Sequence, residues 1–163
     1  MVTVREAALD DADAIGRVHA ETWRAAYAHV MPAAAFDVAA RQEWWRAVLA
    51  REPWGAIFVA ELEREIVGFA GVGPSRDEEG VGELYTIYVD AGRWGTGAGR
   101  ALIERAEEWL RASGFGEAVF WVLEGNERAE RFYRAAGWSH DGGRKLEDFQ
   151  GAEIAEVRYR KPL

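Results

Sequence analysis

The sequence predicts a mixed α/β (α+β) fold: a mostly antiparallel central sheet with helices on both faces and one parallel crossover. Three observations carry this. Strand-like and amphipathic runs follow one another in the order β-α-α-β-β-β-α-β-α-β-β. The run Ala118-Val119-Phe120-Trp121-Val122-Leu123 is continuously apolar, which suits a strand covered on both faces. That run and a second strand-like run at 84–89 flank a helical pattern, the arrangement of a right-handed parallel crossover.

Thr3 to Ala8 alternates weakly and reads as a first strand. Asp10 and Asp11 offer N-caps to a helix over 11–28 whose apolar face carries Ile15, Val18, Trp23 and Ala26. Pro32 interrupts the pattern, and a second helix fits 33–50 with Phe36, Trp44, Trp45, Val48 and Leu49. The runs 56–62 and 66–72, parted by Glu63-Arg64-Glu65, read as an antiparallel hairpin. Leu84-Tyr85-Thr86-Ile87-Tyr88-Val89 is rich in β-branched and aromatic residues and reads as the next strand. Leu102, Ile103, Ala106, Trp109 and Leu110 recur at helical spacing, and Gly114 supplies a stop. After the strand at 118–123, Asn126 caps a short helix with Ala129, Phe132, Tyr133 and Ala136 on one face, and Gly137 ends it. Strands near 138–145 and 153–160 complete the chain, which is expected to be one domain over 1–163.

Composition narrows the function classes. The absence of cysteine removes disulfides, thiolate metal sites and cysteine nucleophiles. A formal net charge of −8 argues against nucleic acid as the main partner and favours a cationic one such as an amine. No run approaches the ~20 apolar residues needed to span a bilayer, so no membrane partner and a cytoplasmic location are expected. His19, His29 and His140 share no metal-ligand spacing, and no metal is expected. The eight tryptophans exceed what a core of this size uses, and some are expected to line a site.

Between the strand at 84–89 and the following helix lies Asp90-Ala91-Gly92-Arg93-Trp94-Gly95-Thr96-Gly97-Ala98-Gly99-Arg100. Alternate glycines remove Cβ atoms that would hold a ligand away, so backbone N–H groups and a helix N-terminus can converge on an anion. The spacing differs from the G-x-G-x-x-G dinucleotide pattern, and Arg100-Ala101 stands where a P-loop needs Lys and Ser or Thr. Taken alone, the turn is equally well explained as a tight connection.

A second constellation changes that: Val122-Leu123-Glu124-Gly125-Asn126-Glu127-Arg128-Ala129-Glu130-Arg131-Phe132-Tyr133-Arg134-Ala135-Ala136-Gly137-Trp138. With Arg93 to Leu102, it resembles the GNAT superfamily of acyl-CoA-dependent N-acyltransferases, most strongly over Glu83 to Trp138. Glu21-Thr22-Trp23-Arg24-Ala25-Ala26-Tyr27 also looks like a variant seen in some subgroups. The resemblance implies acetyl-CoA as acyl donor, with the backbone of Ile87 and Val89 along its pantetheine arm. It places the pyrophosphate on Trp94, Gly95, Thr96, Gly97, Ala98, Gly99 and Arg100, and a further contact on Asn126. Trp94 departs from the family, which usually has Arg or Gln there, leaving more of the binding to backbone amides.

The resemblance also implies Tyr133 as general acid to the departing thiolate. Glu83 is the first candidate to receive the amine's proton, and Glu124 the second. Trp23, Tyr27 and Tyr85, with Trp44 and Trp45, are candidates to wall the acceptor pocket. The implied reaction moves acetyl from acetyl-CoA to a primary amine by direct attack in a ternary complex, with no acyl-enzyme. The acceptor would be a small-molecule amine, a peptide N-terminus or a lysine, and a homodimer is compatible with the family. A non-catalytic acyl-CoA-binding module, or a domain binding ATP or NAD, are the competing readings.

Overall fold

The computed structural model describes every residue except Val30, Glu52 and Gln150. Seven strands form one sheet: β1 (Thr3–Glu6), β2 (Ala56–Leu62), β3 (Glu65–Pro74), β4 (Gly82–Val89), β5 (Glu117–Leu123), β6 (Ser139–Phe149) and β7 (Ala152–Pro162). Their spatial order is β1-β2-β3-β4-β5-β7-β6, antiparallel throughout except for the central β4·β5 pair. Among the described residues four helices cover it: α1 (Ala12–Tyr27), α2 (Val38–Ala50), α3 (Ala98–Ala112) and α4 (Glu127–Ala135).

Strand alternation decides which helices each face receives. Phe58, Ala70, Val72 and Leu84 point to one side, where Leu102, Ile103, Ala106 and Leu110 of α3 and Tyr133 of α4 complete a continuous core. Val59 and Phe69 point to the other, against Ile15 and Val18 of α1 and Trp45 of α2. The expected helices on both faces are present.

Two elements differ from expectation. The helix predicted over 33–50 is split: Ala33–Phe36 forms a separate 3-10 turn, and α2 begins only at Val38. Asp37 is the reason, because its carboxylate accepts the Ala40 N–H at 3.0 Å and caps a new helix start. At α1, neither predicted aspartate caps with its side chain. Asp11 instead takes a two-pronged ion pair from Arg5, at 2.7 and 3.0 Å, and the Ala8 N–H at 2.7 Å, tying the helix start to β1.

The β4·β5 crossover is parallel, but contact is confined to Gly82 opposite Ala118 and Glu83 opposite Val119. It thus lies before the predicted 84–89 stretch. Beyond Glu83 the two strands part, and the sheet has a gap in its centre. An irregularity in the β3·β4 register, where Val72 faces Leu84 but Gly71 faces Thr86, leaves Tyr85 as an extra residue on β4 beside that gap.

Candidate functional site

The gap leaves one edge of β4 without a strand partner. Asp90 N–H bonds the Val67 carbonyl at 2.8 Å directly across the β3·β4 ladder. In an antiparallel ladder alternate residues turn their main-chain groups to opposite edges, so those of Ile87 and Val89 point away from β3, into the gap. Both residues named for backbone binding therefore lie on the open edge. The Val89 carbonyl is taken by the Trp94 indole N–H at 3.1 Å.

The glycine turn leads from this edge into α3. Gly95 (φ +80°) and Gly97 (φ +91°) adopt left-handed backbone that other residues avoid, and a Cβ on either would meet nothing within 4 Å. Both residues are exposed to solvent. Gly99 has a different reason: its Cβ would stand 3.3 Å from the Phe132 ring, so it lets α3 approach α4. Gly97 caps α3 without a side chain, and the first helical bond runs from Ala101 N–H to the Gly97 carbonyl at 2.9 Å. The N–H groups of Ala98, Gly99 and Arg100 are thus left for an anion at the positive end of the helix. Thr96 turns its hydroxyl onto the Arg93 carbonyl at 2.6 Å and contributes to the turn's shape. Arg100 pairs with Glu104 at 2.9 Å, an exposed contact worth little that it can exchange for a ligand.

Beside the turn runs a groove of about 530 Å³, lined by Asp90, Gly92, Trp94, Asn126, Arg128 and residues of α1. Arg128 lies flat on the Trp94 ring, 3.2 Å from its centroid. Partial burial and the neighbouring Arg131 lower the pKa of Arg128. This stacked cation, which sequence reasoning passed over, stands beside the position where the family usually carries Arg or Gln. The Asn126 side-chain oxygen accepts the Ala129 N–H at 3.3 Å as the α4 cap, and the residue also lines the groove.

Asn126 and Ala129 also line a chamber of about 280 Å³ in the gap itself, so the two residues wall both groove and chamber. Tyr133 lines this chamber, only 5% exposed, its ring packed edge-on against Phe120 at 4.7 Å and Phe132 at 5.2 Å. Among the described residues its hydroxyl makes no side-chain hydrogen bond, and it is not sealed off from the open space of the chamber. Burial holds its pKa well above the usual phenol value, so the proton is retained at neutral pH.

Trp23, Tyr27 and Tyr85 line the same chamber from the opposite side. The Trp23 indole N–H donates to the Tyr88 hydroxyl at 2.8 Å, and Tyr85 donates to the Pro74 carbonyl and stacks on Trp54 at 5.5 Å. Burial raises Tyr85 to a pKa of about 12. Trp23, Tyr85 and Tyr88 continue into a larger aromatic cavity of about 620 Å³ under α2, lined by Trp44, Trp45, Trp54 and His19. There the Trp45 indole N–H donates to His19 Nδ1 at 3.0 Å, and burial lowers His19 to a pKa of about 3, so the ring is neutral. Trp45 is buried in the core, whereas Trp44 is half exposed.

The two candidate carboxylates stand apart from the chamber. Glu83 is completely buried and lines neither cavity; its Oε1 accepts the Arg76 N–H at 3.0 Å, and its Oε2 the guanidinium at 2.5 and 3.1 Å. Separating a buried pair costs roughly 3–5 kcal/mol, less here because Arg76 is half exposed, which still disfavours freeing the carboxylate in each turnover. Glu83 meets the cavities through Arg76, whose side chain lines both. Glu124 is at the surface, held by Arg144 at 2.6 and 3.2 Å, and that pairing keeps its pKa low.

Among the described residues no cluster of His, Asp and Glu has a metal-binding arrangement, and no helix is long and apolar enough to cross a membrane.

Comparison with known proteins agrees with this geometry. The sequence pattern of the acetyltransferase (GNAT) family matches residues 13–138. The uncharacterized N-acetyltransferase YuaI of Bacillus subtilis is 41% identical over 129 residues, 77% of this chain and 74% of the relative. The PaiA N-acetyltransferase of Thermoplasma acidophilum, solved in complex with coenzyme A, shares the fold at 18% identity with a TM-score of 0.75, covering 100% of this chain and 99% of that one. A Salmonella typhimurium structure holding its cofactor acetyl-CoA is 20% identical with a TM-score of 0.73, over 100% and 94% of the two chains. The strand gap, the uncapped start of α3 and the Asn126-capped helix carrying Tyr133 thus occur in a chain that belongs to the GNAT acetyltransferase family.

Proposed function

We propose that the protein transfers an acetyl group from acetyl-CoA to a primary amine by direct attack in a ternary complex. The observation that carries this reading is the adjacency of the turn's groove and the chamber across Asn126 and Ala129, where the open edge of β4 meets Tyr133. The residues fit such a donor on three counts. The N–H groups of Gly95 to Arg100 form a cradle for a pyrophosphate, with Arg128 beside it as a phosphate cation. The β4 edge at Ile87 and Val89 offers main-chain partners to an extended amide arm, as in strand addition. When bound, the donor supplies an acetyl thioester.

Tyr133 gives its proton to the departing sulfur. A free thiol has a pKa near ~8.5, so protonation assists departure, and a phenol kept neutral by burial is suited to that donation. An N–H of the open β4 edge polarises the thioester carbonyl. Glu83 is a positioning residue that fixes Arg76 at the mouth of the chamber. The aromatic walls from Trp23, Tyr27 and Tyr85 exclude water and favour an organic cation.

The test has two readouts on the full chain. Coenzyme A is expected to raise Tm, and ATP and NAD to leave it unchanged. Thiol release from acetyl-CoA is expected to accelerate on adding n-butylamine, benzylamine or glycinamide. Stabilisation by ATP or NAD but not coenzyme A would reject the donor assignment. Stabilisation by coenzyme A with no amine-dependent thiol release would reject amine acetylation.

A further inference from the structure

The chamber contains a carboxylate with no assigned role. Glu156 of β7 lies opposite Leu123 of β5 and Lys145 of β6, one strand beyond the gap, and lines the chamber. Its neighbour Val157 points into the core shared with α3 and Tyr133, so alternation turns Glu156 to the α1 face. Tyr133 therefore approaches the chamber from the α3 face of the sheet, and Glu156 from the α1 face. Unlike Glu83, Glu156 borders the cavity directly, and unlike Glu124 it is three-quarters buried at the side chain. Lys145 is close to both Glu147, at 3.2 Å, and Glu156, at 4.0 Å. One cation facing two carboxylates leaves the pair in excess by one negative charge. Tyr133, a residue only 5% exposed, lines the same chamber with a hydroxyl that makes no hydrogen bond to a described side chain, an independent sign that a polar ligand completes the site.

We propose that Glu156, backed by Glu147, receives the acceptor's ammonium group and takes its first proton, so that the acceptor is a small cationic primary amine entering from the α1 face. The inference rests on the acetyl-transfer reading above. A primary amine has a pKa of about 10.4 and arrives as R–NH3+. Glu156 takes one proton and becomes a carboxylic acid. The freed nitrogen forms a bond to the acetyl carbon as the C–S bond breaks. Tyr133 hands its proton to the sulfur and regains one from the nitrogen, so the products are the amide, free thiol and one proton, which Glu156 passes to water.

Burial and the adjacent Glu147 raise the pKa of Glu156, while Lys145 and Arg76 oppose this. Tyr27 and Tyr88 also lie within its electrostatic reach and are neutral. A raised pKa makes the carboxylate a better proton acceptor. Activity requires the ionised form, so kcat/KM falls as pH drops through that raised pKa, at higher pH than for an ordinary glutamate.

The test compares full-length wild type, Glu156→Gln, Glu156→Asp and Glu147→Gln with n-butylamine as probe, following thiol release across pH and coenzyme A binding by thermal shift. Glu156→Gln is expected to lose at least about 100-fold in kcat/KM and its acidic limb, with the coenzyme A shift intact. Glu156→Asp should recover part of the rate, and Glu147→Gln should move the acidic limb to lower pH. Wild-type rate and limb in Glu156→Gln would overturn the inference alone. Should Glu156→Gln not fold, an unmoved limb in Glu147→Gln together with a wild-type profile in Glu156→Asp would overturn it instead. A wild type that binds coenzyme A but acetylates no amine would overturn this inference and the parent reading together.

Discussion

The groove beside the glycine turn and the chamber in the sheet gap are built by different means. The donor side is mostly main chain: two left-handed glycines and three uncapped amides at the start of α3, beside the groove, and the open edge of β4. The chamber is mostly side chain, drawn from α1, the loop before β4, β5, α4 and the β6·β7 hairpin. A main-chain cradle fixes where an anion sits and tolerates change in the surrounding side chains. A side-chain chamber can be re-cut one residue at a time, which suits a constant donor meeting a variable acceptor. Tyr133 stands where the two meet.

The largest effect is therefore expected at that boundary. Tyr133→Phe keeps the ring between Phe120 and Phe132 and removes only the hydroxyl. Turnover should fall about 10²- to 10⁴-fold, with the Kd for coenzyme A and the KM for the amine nearly unchanged. Steady-state kinetics and calorimetric titration separate these quantities. A large loss of coenzyme A affinity would show that the hydroxyl belongs to the groove and not to the proton transfer.

Next in size is a change confined to the groove. Valine at Gly97 must adopt φ +91°, a strain of about 1–2 kcal/mol or more for a branched residue, or move the amides that follow it. Gly97→Val should weaken coenzyme A binding at least about tenfold while circular dichroism shows the fold retained. Wild-type affinity in a folded Gly97→Val protein would mean that side chains, not the amide cradle, hold the donor.

The same contrast explains what the sequence disclosed. The cradle was legible because its parts are contiguous: residues 94–100 run from one turn into the start of α3, and Asn126 caps the short helix that carries Tyr133. Gly99 was misread in part, since spacing reveals a missing Cβ but not whether a ligand or Phe132 fills its place. The extent of the β4·β5 pairing was illegible. Apolar runs identify strands, whereas parting after Glu83 depends on the irregularity at Tyr85 and on what packs around the gap. Glu83 had the pattern of a solvated strand start, yet Arg76 folds back over seven positions to bury and neutralise it. Glu156 was lost among the charges of an amphipathic hairpin, because only the sheet order places β7 beside β5. By contrast, the break at Asp37 did have a signal, an aspartate three residues before the Ala40 amide it caps.

The smallest expected effect concerns Trp94, the position where this chain departs from its family. The indole holds the Val89 carbonyl and offers its face to Arg128, so the residue carries the cation second-hand. An exposed cation–π contact is worth about 0.5–1 kcal/mol, so Trp94→Ala should weaken coenzyme A binding only about two- to fivefold. Trp94→Arg should restore that loss and steepen the dependence of Kd on salt, because a charge then meets the phosphates directly in solvent. If Trp94→Ala instead cost as much as Gly97→Val, the groove would rely on this side-chain stack as heavily as on its amides. The division between a main-chain donor site and a side-chain acceptor site would then fail at Trp94.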